Sequence, residues 1–167
     1  MLVPIFVVHE HHSKHFHYDF RLEVDGVLKS WAVPKGPSMS PQDKRLAIMV
    51  DDHPLEYVTF EEVIPDGQYG AGPVLIWDSG DYTPIAIDMV KKHIEFILNG
   101  RKLKGTFILT GLKGKEKEWL LIKKKDEFAQ PSYEIKPELT KNEVSRCIGV
   151  LNEKLFTICY KKYCIKI

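Results

Sequence analysis

Five of the chain's seven histidines, His9, His11, His12, His15 and His17, fall within nine residues, interleaved with Glu10, Ser13, Lys14 and Phe16. Those interruptions exclude an artificial histidine tag, so the density calls for a structural or chemical reason. Neutral imidazole is the commonest metal ligand, and residues two apart on a strand point to one side. His17 and Asp19 therefore form a ready pair of nitrogen and oxygen donors. Imidazole suits zinc, copper, iron and nickel, while the carboxylate shifts preference toward manganese or magnesium; no cysteine stands nearby to suggest structural zinc. Arg21 extends the same face by two residues, and a guanidinium fork beside a metal matches a pair of phosphate oxygens. The combination points to phosphoryl chemistry; the plain alternative is a ladder of ion pairs on a sheet surface. His53 sits in Asp51-Asp52-His53-Pro54, where the proline biases it to extended backbone, and Tyr57 follows four residues later. Physics alone leaves His53 open between a site residue and a solvated one. His12 and His15 read as supporting or surface residues, and His93 as a residue without a role.

The elements that must carry these side chains are short strands. Residues 17–24 alternate between His17, Asp19, Arg21, Glu23 and Tyr18, Phe20, Leu22, Val24, one face ionisable and the other apolar. Asp25-Gly26 tolerates the positive φ of a two-residue hairpin loop, and 27–33 reads as the returning strand. Pro34, Gly36 and Pro37 break the ladder and 45–50 resumes it. Residues 51–54 read as a turn before an extended 55–60, and the glycines of 67–73 mark a loop. A strand over 74–77 precedes one or two helical turns over 85–92. A second hairpin follows, 94–98 and 101–109 about Asn99-Gly100, with a last strand at 119–123. The expected fold is mostly β, a small closed or crescent-shaped β-barrel with one or two short helices, its site at one end or on a concave face. The barrel domain is expected over 1–130. Residues 126–140 carry two prolines and read as a linker, 131–167 as a C-terminal extension, and 143–156 have weak helical spacing.

With 167 residues, 44% of them apolar and 28% charged, the chain is an ordinary globular domain with a sizeable core, which excludes disorder, collagen and coiled coil. No apolar run approaches the roughly 20 residues of a membrane helix, and the first residues run into the histidines rather than a cleavage site. The expectation is a cytoplasmic monomer. Cys147, Cys159 and Cys164 lack metal-finger or paired spacing and read as plain thiols. Residues 1–100 carry 8 Lys and Arg against 15 Asp and Glu; residues 101–167 carry 16 against 8, densest at Lys113, Lys115, Lys117 and Lys123, Lys124, Lys125. This is either a basic face for a polyanion or a solvated lysine-rich turn and strand end.

Four stretches carry a family resemblance: His9-Glu-His-His; HYDFRLEVDGVLKSWAVPKGPS, residues 17–38; KRLAIMVDDHPLEY, 44–57; and IPDGQYGAG, 64–72. They resemble the 3′-phosphoesterase module found at the front of bacterial DNA ligase D and as free-standing archaeal and bacterial proteins. A weaker likeness continues through the Asn99-Gly100 hairpin to Lys125, so that the resemblance covers about three quarters of the chain, and the segment after Pro131 has no counterpart in it. It implies a small β-barrel enzyme with a manganese ion that trims the 3′ ends of DNA or DNA–RNA primers, removing a terminal ribonucleoside and then the 3′-phosphate to leave a 3′-OH. By motif position it implies His11, His17 and Asp19 as metal ligands, other divalent transition metals being possible occupants. Arg21 and His53 hold the scissile phosphate, with Tyr57 beside it. His9 replaces a glutamine usual in the family, as a phosphate or water contact or a further ligand. Ligase-linked members carry an N-terminal arm used in ribonucleoside removal, so phosphomonoesterase activity is expected ahead of diesterase activity.

The implied reaction is metal-assisted hydrolysis, with Arg21 and His53 neutralising charge that grows in the transition state. The implied substrate is a DNA 3′ end or primer–template bearing a 3′-phosphate or ribonucleotide, and a DNA ligase and polymerase are the implied partners. Two rivals stand beside this. His17-x-Asp19 with a distal His53 copies the triad of non-haem iron oxygenases. A non-catalytic adaptor would dock DNA ends on the lysine-rich hairpin and only store metal on the histidines.

Overall fold

Alternation in the second strand separates the inside of the molecule from the outside: Tyr18, Phe20 and Leu22 enter an aromatic core while His17, Asp19 and Arg21 face away from it. The computed structural model describes residues 2–140 and 142–144. Its strands are β1 (Ile5–His11), β2 (His17–Val24), β3 (Val27–Val33), β4 (Lys44–His53), β5 (Glu62–Ile64), β6 (Gly72–Asp88), β7 (His93–Gly100), β8 (Lys104–Gly111) and β9 (Glu118–Lys123). All neighbours are antiparallel, in the order β1-β2-β3-β4-β9-β8-β7-β6, and a β1–β6 pairing closes the eight into a barrel. Closure leaves these eight strands no open edge. The short β5 adds to β6 beside Val74, whose other edge pairs with His11. Between Val8 and His9 the register shifts, leaving Trp77 of β6 without a partner. Such a bulge sharpens the local twist.

The core is a run of rings across the barrel. Phe6 faces Phe20 at 6.3 Å, Phe20 faces Phe96 at 5.8 Å, and Phe96 stacks on Phe107 at 6.2 Å, with Trp31 edge-on to Trp119 at 5.6 Å. Each fully buried ring contributes roughly 1.5–3 kcal/mol, so this column is the main cohesive element of the sheet.

The first hairpin is as expected: Asp25 and Gly26 both take positive φ, 51° and 79°, and Val24 pairs with Val27. Four local expectations are corrected. Residues 51–53 are not a turn, because β4 continues to His53, which pairs with Leu28. Residues 55–60 are not extended. Pro54 has no N–H to offer a ladder, and its carbonyl instead accepts the Tyr57 N–H at 3.0 Å, starting a 3₁₀ turn over Leu55–Thr59. Residues 85–92 form no helix; β6 runs to Asp88 against β7, and the chain then turns at Lys92, φ 51°. The second hairpin turns beyond Asn99-Gly100, since Asn99 pairs with Lys104. Gly100 is required there by close approach, not by φ, as an added Cβ would lie 2.6 Å from Phe6 Cζ.

Residues 130–140 run along the barrel rather than away from it. The Gln130 N–H donates to Met39 O, Ser40 Oγ to Pro131 O, and Trp77 Nε1 to Lys136 O at 2.8 Å, while Tyr133 and Ile135 pack against the core. Glu10, wholly buried, accepts the Glu138 N–H at 2.6 Å and the Leu139 N–H at 3.0 Å. Thr140 and Glu143 then form a reciprocal capping box at the helical residues 142–144. The remaining helical spacing expected over 143–156, and the three cysteines, lie outside the described residues. The lysine cluster divides: Lys113, Lys115, Lys117 and Lys125 are exposed, but Lys123 is buried on Asp126, 2.6 Å away, and Lys124 pairs with Glu95.

Candidate active site

The β1–β2 register pairs His11 with His17 and His9 with Asp19, so period two places all four on the outer face of the barrel. There, among the described residues, His11, His17 and Asp19 each bring one donor atom within 4.8 Å of the others. The backbone selects the imidazole tautomers. His11 Nε2–H donates to Gly70 O at 2.6 Å, which leaves Nδ1 bare and 3.3 Å from Asp19 Oδ2. His17 Nδ1–H donates to His15 O at 2.8 Å, which leaves Nε2 bare and 3.4 Å from Asp19 Oδ1. Lone pairs on two rings and a carboxylate thus converge, and only a proton or a cation between them relieves the repulsion. Imidazoles steadied through the far nitrogen by a carbonyl are the usual dress of metal ligands. Burial alone would push the Asp19 carboxyl up; hydrogen bonds from the adjoining His11 and His17 rings, made when a proton stands between ring and carboxylate, and the Arg21 charge outweigh it and hold it well below the usual carboxylate range. Burial likewise opposes the His17 cation, and Asp19 reverses the balance, raising its pKa. The donor set fits a divalent ion held by three protein ligands with positions left open, the arrangement of a catalytic rather than a structural site.

Arg21, almost wholly buried, lies beside this trio. Its Nη2 is 3.4 Å from Asp19 Oδ2, its Nη1 donates to Ser30 Oγ at 2.8 Å, and its Nε donates to His9 Nδ1 at 3.2 Å. The Tyr57 ring covers the guanidinium at 4.9 Å, a cation–π contact. His53 Nδ1 lies 3.0 Å from Arg21 Nη1 and 2.9 Å from Asp51 O, and its ring leans on Tyr57 at 4.7 Å. Burial, then the Arg21 charge, lowers the His53 pKa. Tyr57 is placed by the 3₁₀ turn: a period of three brings Tyr57 and Phe60 to the same side, and their rings stack at 4.3 Å. The result is one continuous patch, a donor trio followed by a guanidinium, an imidazole and a phenol.

His9 is wholly buried within it, Nδ1 accepting from Arg21 and Nε2–H donating to Phe60 O at 3.1 Å. With both nitrogens engaged it braces Arg21 against the loop after the 3₁₀ turn. Burial and then the Arg21 charge bring its pKa to about 3, so the ring is neutral. His12 turns to the other face and donates to Glu10 at 2.6 Å, His15 is exposed, and His93 sits far along the barrel near Glu95. His53 stands across Arg21 and does not join the donor trio, so the triad of His17, Asp19 and His53 is not formed. Sequence reasoning missed Ser30, although the two-residue Asp25-Gly26 loop fixes a register in which residue 21 faces residue 30. It also missed the carbonyls of Gly70, Phe60 and His15, which no side-chain pattern announces.

Residues 9–111 match the family model described as the DNA ligase D 3′-phosphoesterase domain. The chain belongs to that family. Among curated relatives, it is 52% identical over 126 residues to the multifunctional non-homologous end joining protein LigD of Pseudomonas aeruginosa, an alignment covering 72% of this chain and 15% of the relative. It is 46% identical over 131 residues to the multifunctional non-homologous end joining DNA repair protein LigD of Mycobacterium tuberculosis, covering 77% of this chain and 17% of the relative. The chain thus spans about a sixth of the length of the relatives it matches. The matched 3′-phosphoesterase domain contains the donor trio, Arg21, His53, Tyr57 and the Gly70 carbonyl.

Proposed function

We propose that the protein is a divalent-metal-dependent 3′-phosphoesterase of DNA repair by end joining. It hydrolyses a 3′-phosphate, and removes a 3′-terminal ribonucleoside, to leave a 3′-OH that a polymerase or ligase acting alongside can use. The observation that carries this reading is the donor trio set directly against a buried arginine on a single sheet face. Family membership supplies the reaction class, and the mixed nitrogen and oxygen donors without sulfur admit manganese among the divalent transition metals.

When bound, the ion held by His11, His17 and Asp19 supplies Lewis acidity to a phosphoryl oxygen. The chain's own groups do the rest. Arg21 is already positioned by Asp19, Ser30 and His9, and it would meet a phosphate with the Nη hydrogens those partners leave over, without turning its fork. His53 keeps its Nε2 without a protein partner among the described residues. With Nδ1–H on the Asp51 carbonyl, Nε2 would take up a proton only as a bound phosphate supplies negative charge, and in that protonated state would donate it to the departing 3′ oxygen. Tyr57 walls off the guanidinium from water.

The test is release of inorganic phosphate from a primer–template ending in a 3′-phosphate, with and without Mn²⁺, beside a His17→Ala variant. Metal-dependent release that the variant loses is expected. A folded protein that binds such DNA and releases nothing with any divalent ion would leave the adaptor reading in its place.

A further inference from the structure

Aromatic residues lie in the patch and next to its residues in the chain, and Tyr57 and Phe16 are already engaged. Tyr57 is taken by Arg21, His53 and Phe60. Phe16, though partly exposed, lies flat on His12 at 4.6 Å and edge-on to Tyr18 at 5.2 Å. Tyr69 differs: it is fully exposed, and among the described residues its ring has no aromatic, cationic or hydrogen-bonding partner. Its backbone is nonetheless firmly placed. The loop is stapled by Gln68 N–H to Pro65 O at 3.2 Å and Ala71 N–H to Gln68 O at 3.2 Å. The next residue, Gly70, takes φ 77° and turns its carbonyl onto His11. An added Cβ at Gly70 would meet His11 Cε1 at 3.1 Å, so the loop backbone lies directly against the imidazole that it orients. The Tyr69 Cα thus stands about 3.8 Å along the chain from that of a residue that touches the donor trio, and its ring is bare.

We propose that Tyr69 is the stacking platform for the base of the 3′-terminal nucleotide. This rests on the phosphoesterase reading and names its substrate more closely. A phosphate held by Arg21 and the ion leaves the attached nucleoside at the edge of the patch, where an unengaged ring offers a π-face that any base can use. Tyr69 is a binding residue rather than a catalytic one, and it makes the enzyme tolerant of base identity but not of base absence.

Two variants test it. Tyr69→Ala raises KM for an oligonucleotide ending in a nucleoside 3′-phosphate by about tenfold, the usual worth of one stacked base, while kcat changes little. The wild-type enzyme loses a similar factor when the terminal base is removed from the substrate, and the variant loses no more. Tyr69→Trp provides a reading without turnover. The native Trp31, Trp77 and Trp119 are all buried, so the new indole dominates quenching by acrylamide. With Mn²⁺ present and a non-hydrolysable 3′-phosphonate in place of the phosphate, the oligonucleotide shields and quenches it, and the same strand ending in an abasic 3′-phosphonate does not. Equal quenching by both strands, or an unchanged KM in Tyr69→Ala beside active wild type, overturns the assignment. The quench decides the role of Tyr69 even in a protein that releases no phosphate, so failure here and failure of the phosphoesterase reading are told apart.

Discussion

Arg21 has a protein partner on each of its three nitrogens and a phenol ring over its face, and that crowding sets what its loss costs. Arg21→Ala is expected to lower kcat for phosphate release by about 10² or more, the scale of a lost transition-state stabiliser. Arg21→Lys recovers little, since a point charge cannot reach Ser30, His9 and Asp19 together. Steady-state kinetics on the 3′-phosphate substrate checks both. His9 makes a different prediction, about stability. Its pKa falls from 6.5 to about 3 on folding, so between those values the unfolded chain carries a proton that the folded chain refuses. Stability from neutral His9 is complete above pH 6.5 and is lost as pH falls toward 3. Urea unfolding of the metal-free protein should therefore weaken on acidification through this window. His9→Gln, which does not titrate, should remove about one proton from that slope, or about 1.4 kcal/mol per pH unit. An unchanged slope in the variant would show that the acid sensitivity arises elsewhere.

At the scale of elements, β1 serves two purposes with opposite faces. His9 and His11 look outward to the site, while Glu10 between them looks inward and caps the strap of residues 130–140. Glu10→Ala would leave the N–H groups of Glu138 and Leu139, and the His12 ring, without their acceptor. Each such buried donor costs about 1–3 kcal/mol, so a drop in Tm of about 5 °C or more is expected by calorimetry. Because the same strand holds His11, Mn²⁺ affinity measured by titration should fall as well. A variant with native Tm and affinity would separate the strap from the site. The 3₁₀ turn is the other informative element: Pro54 converts an otherwise strand-like 55–60 into a support that brings Tyr57 over Arg21.

At the scale of the whole molecule, the second part of the chain carries the excess of basic residues. Lys113, Lys115 and Lys117 stand exposed in the β8–β9 loop, and Lys117 O accepts the Met49 N–H of β4, the strand that ends at His53. A DNA backbone that ran from the site along β4 would pass this loop. Replacing the three lysines by alanine should raise KM for primer–template at low salt and flatten the dependence of log KM on log salt by about 0.9 for each phosphate no longer neutralised. Phosphate release from a mononucleotide substrate should be far less affected. If all three substitutions leave the salt slope as it was, the loop is a solvated turn and the backbone lies elsewhere.

Period two and the Asp25-Gly26 turn are local, and they were enough to determine the first hairpin, the ionisable face of β2 and the pairing of His17 with Asp19 and Arg21. The choice of His11 among five histidines was beyond periodicity and came with the family resemblance; what the structure adds is that the Gly70 carbonyl, 59 residues away in sequence, fixes the orientation of its ring. His9 could not be assigned from its type alone, because its burial and both of its partners, Arg21 and Phe60, come from other elements. The same limit explains the helix wrongly expected over 85–92 and the linker wrongly expected over 126–140. A partner strand and a buried glutamate decide those segments, and neither lies within the window that local propensity can see. Sequence alone thus determined which groups could do chemistry and which face of β2 carries them. Only the tertiary structure decided which of them meet, because the β1–β2 pairing assembles the trio while His53 arrives on β4 and the Gly70 and Phe60 carbonyls that fix His11 and His9 come from loops distant in the chain.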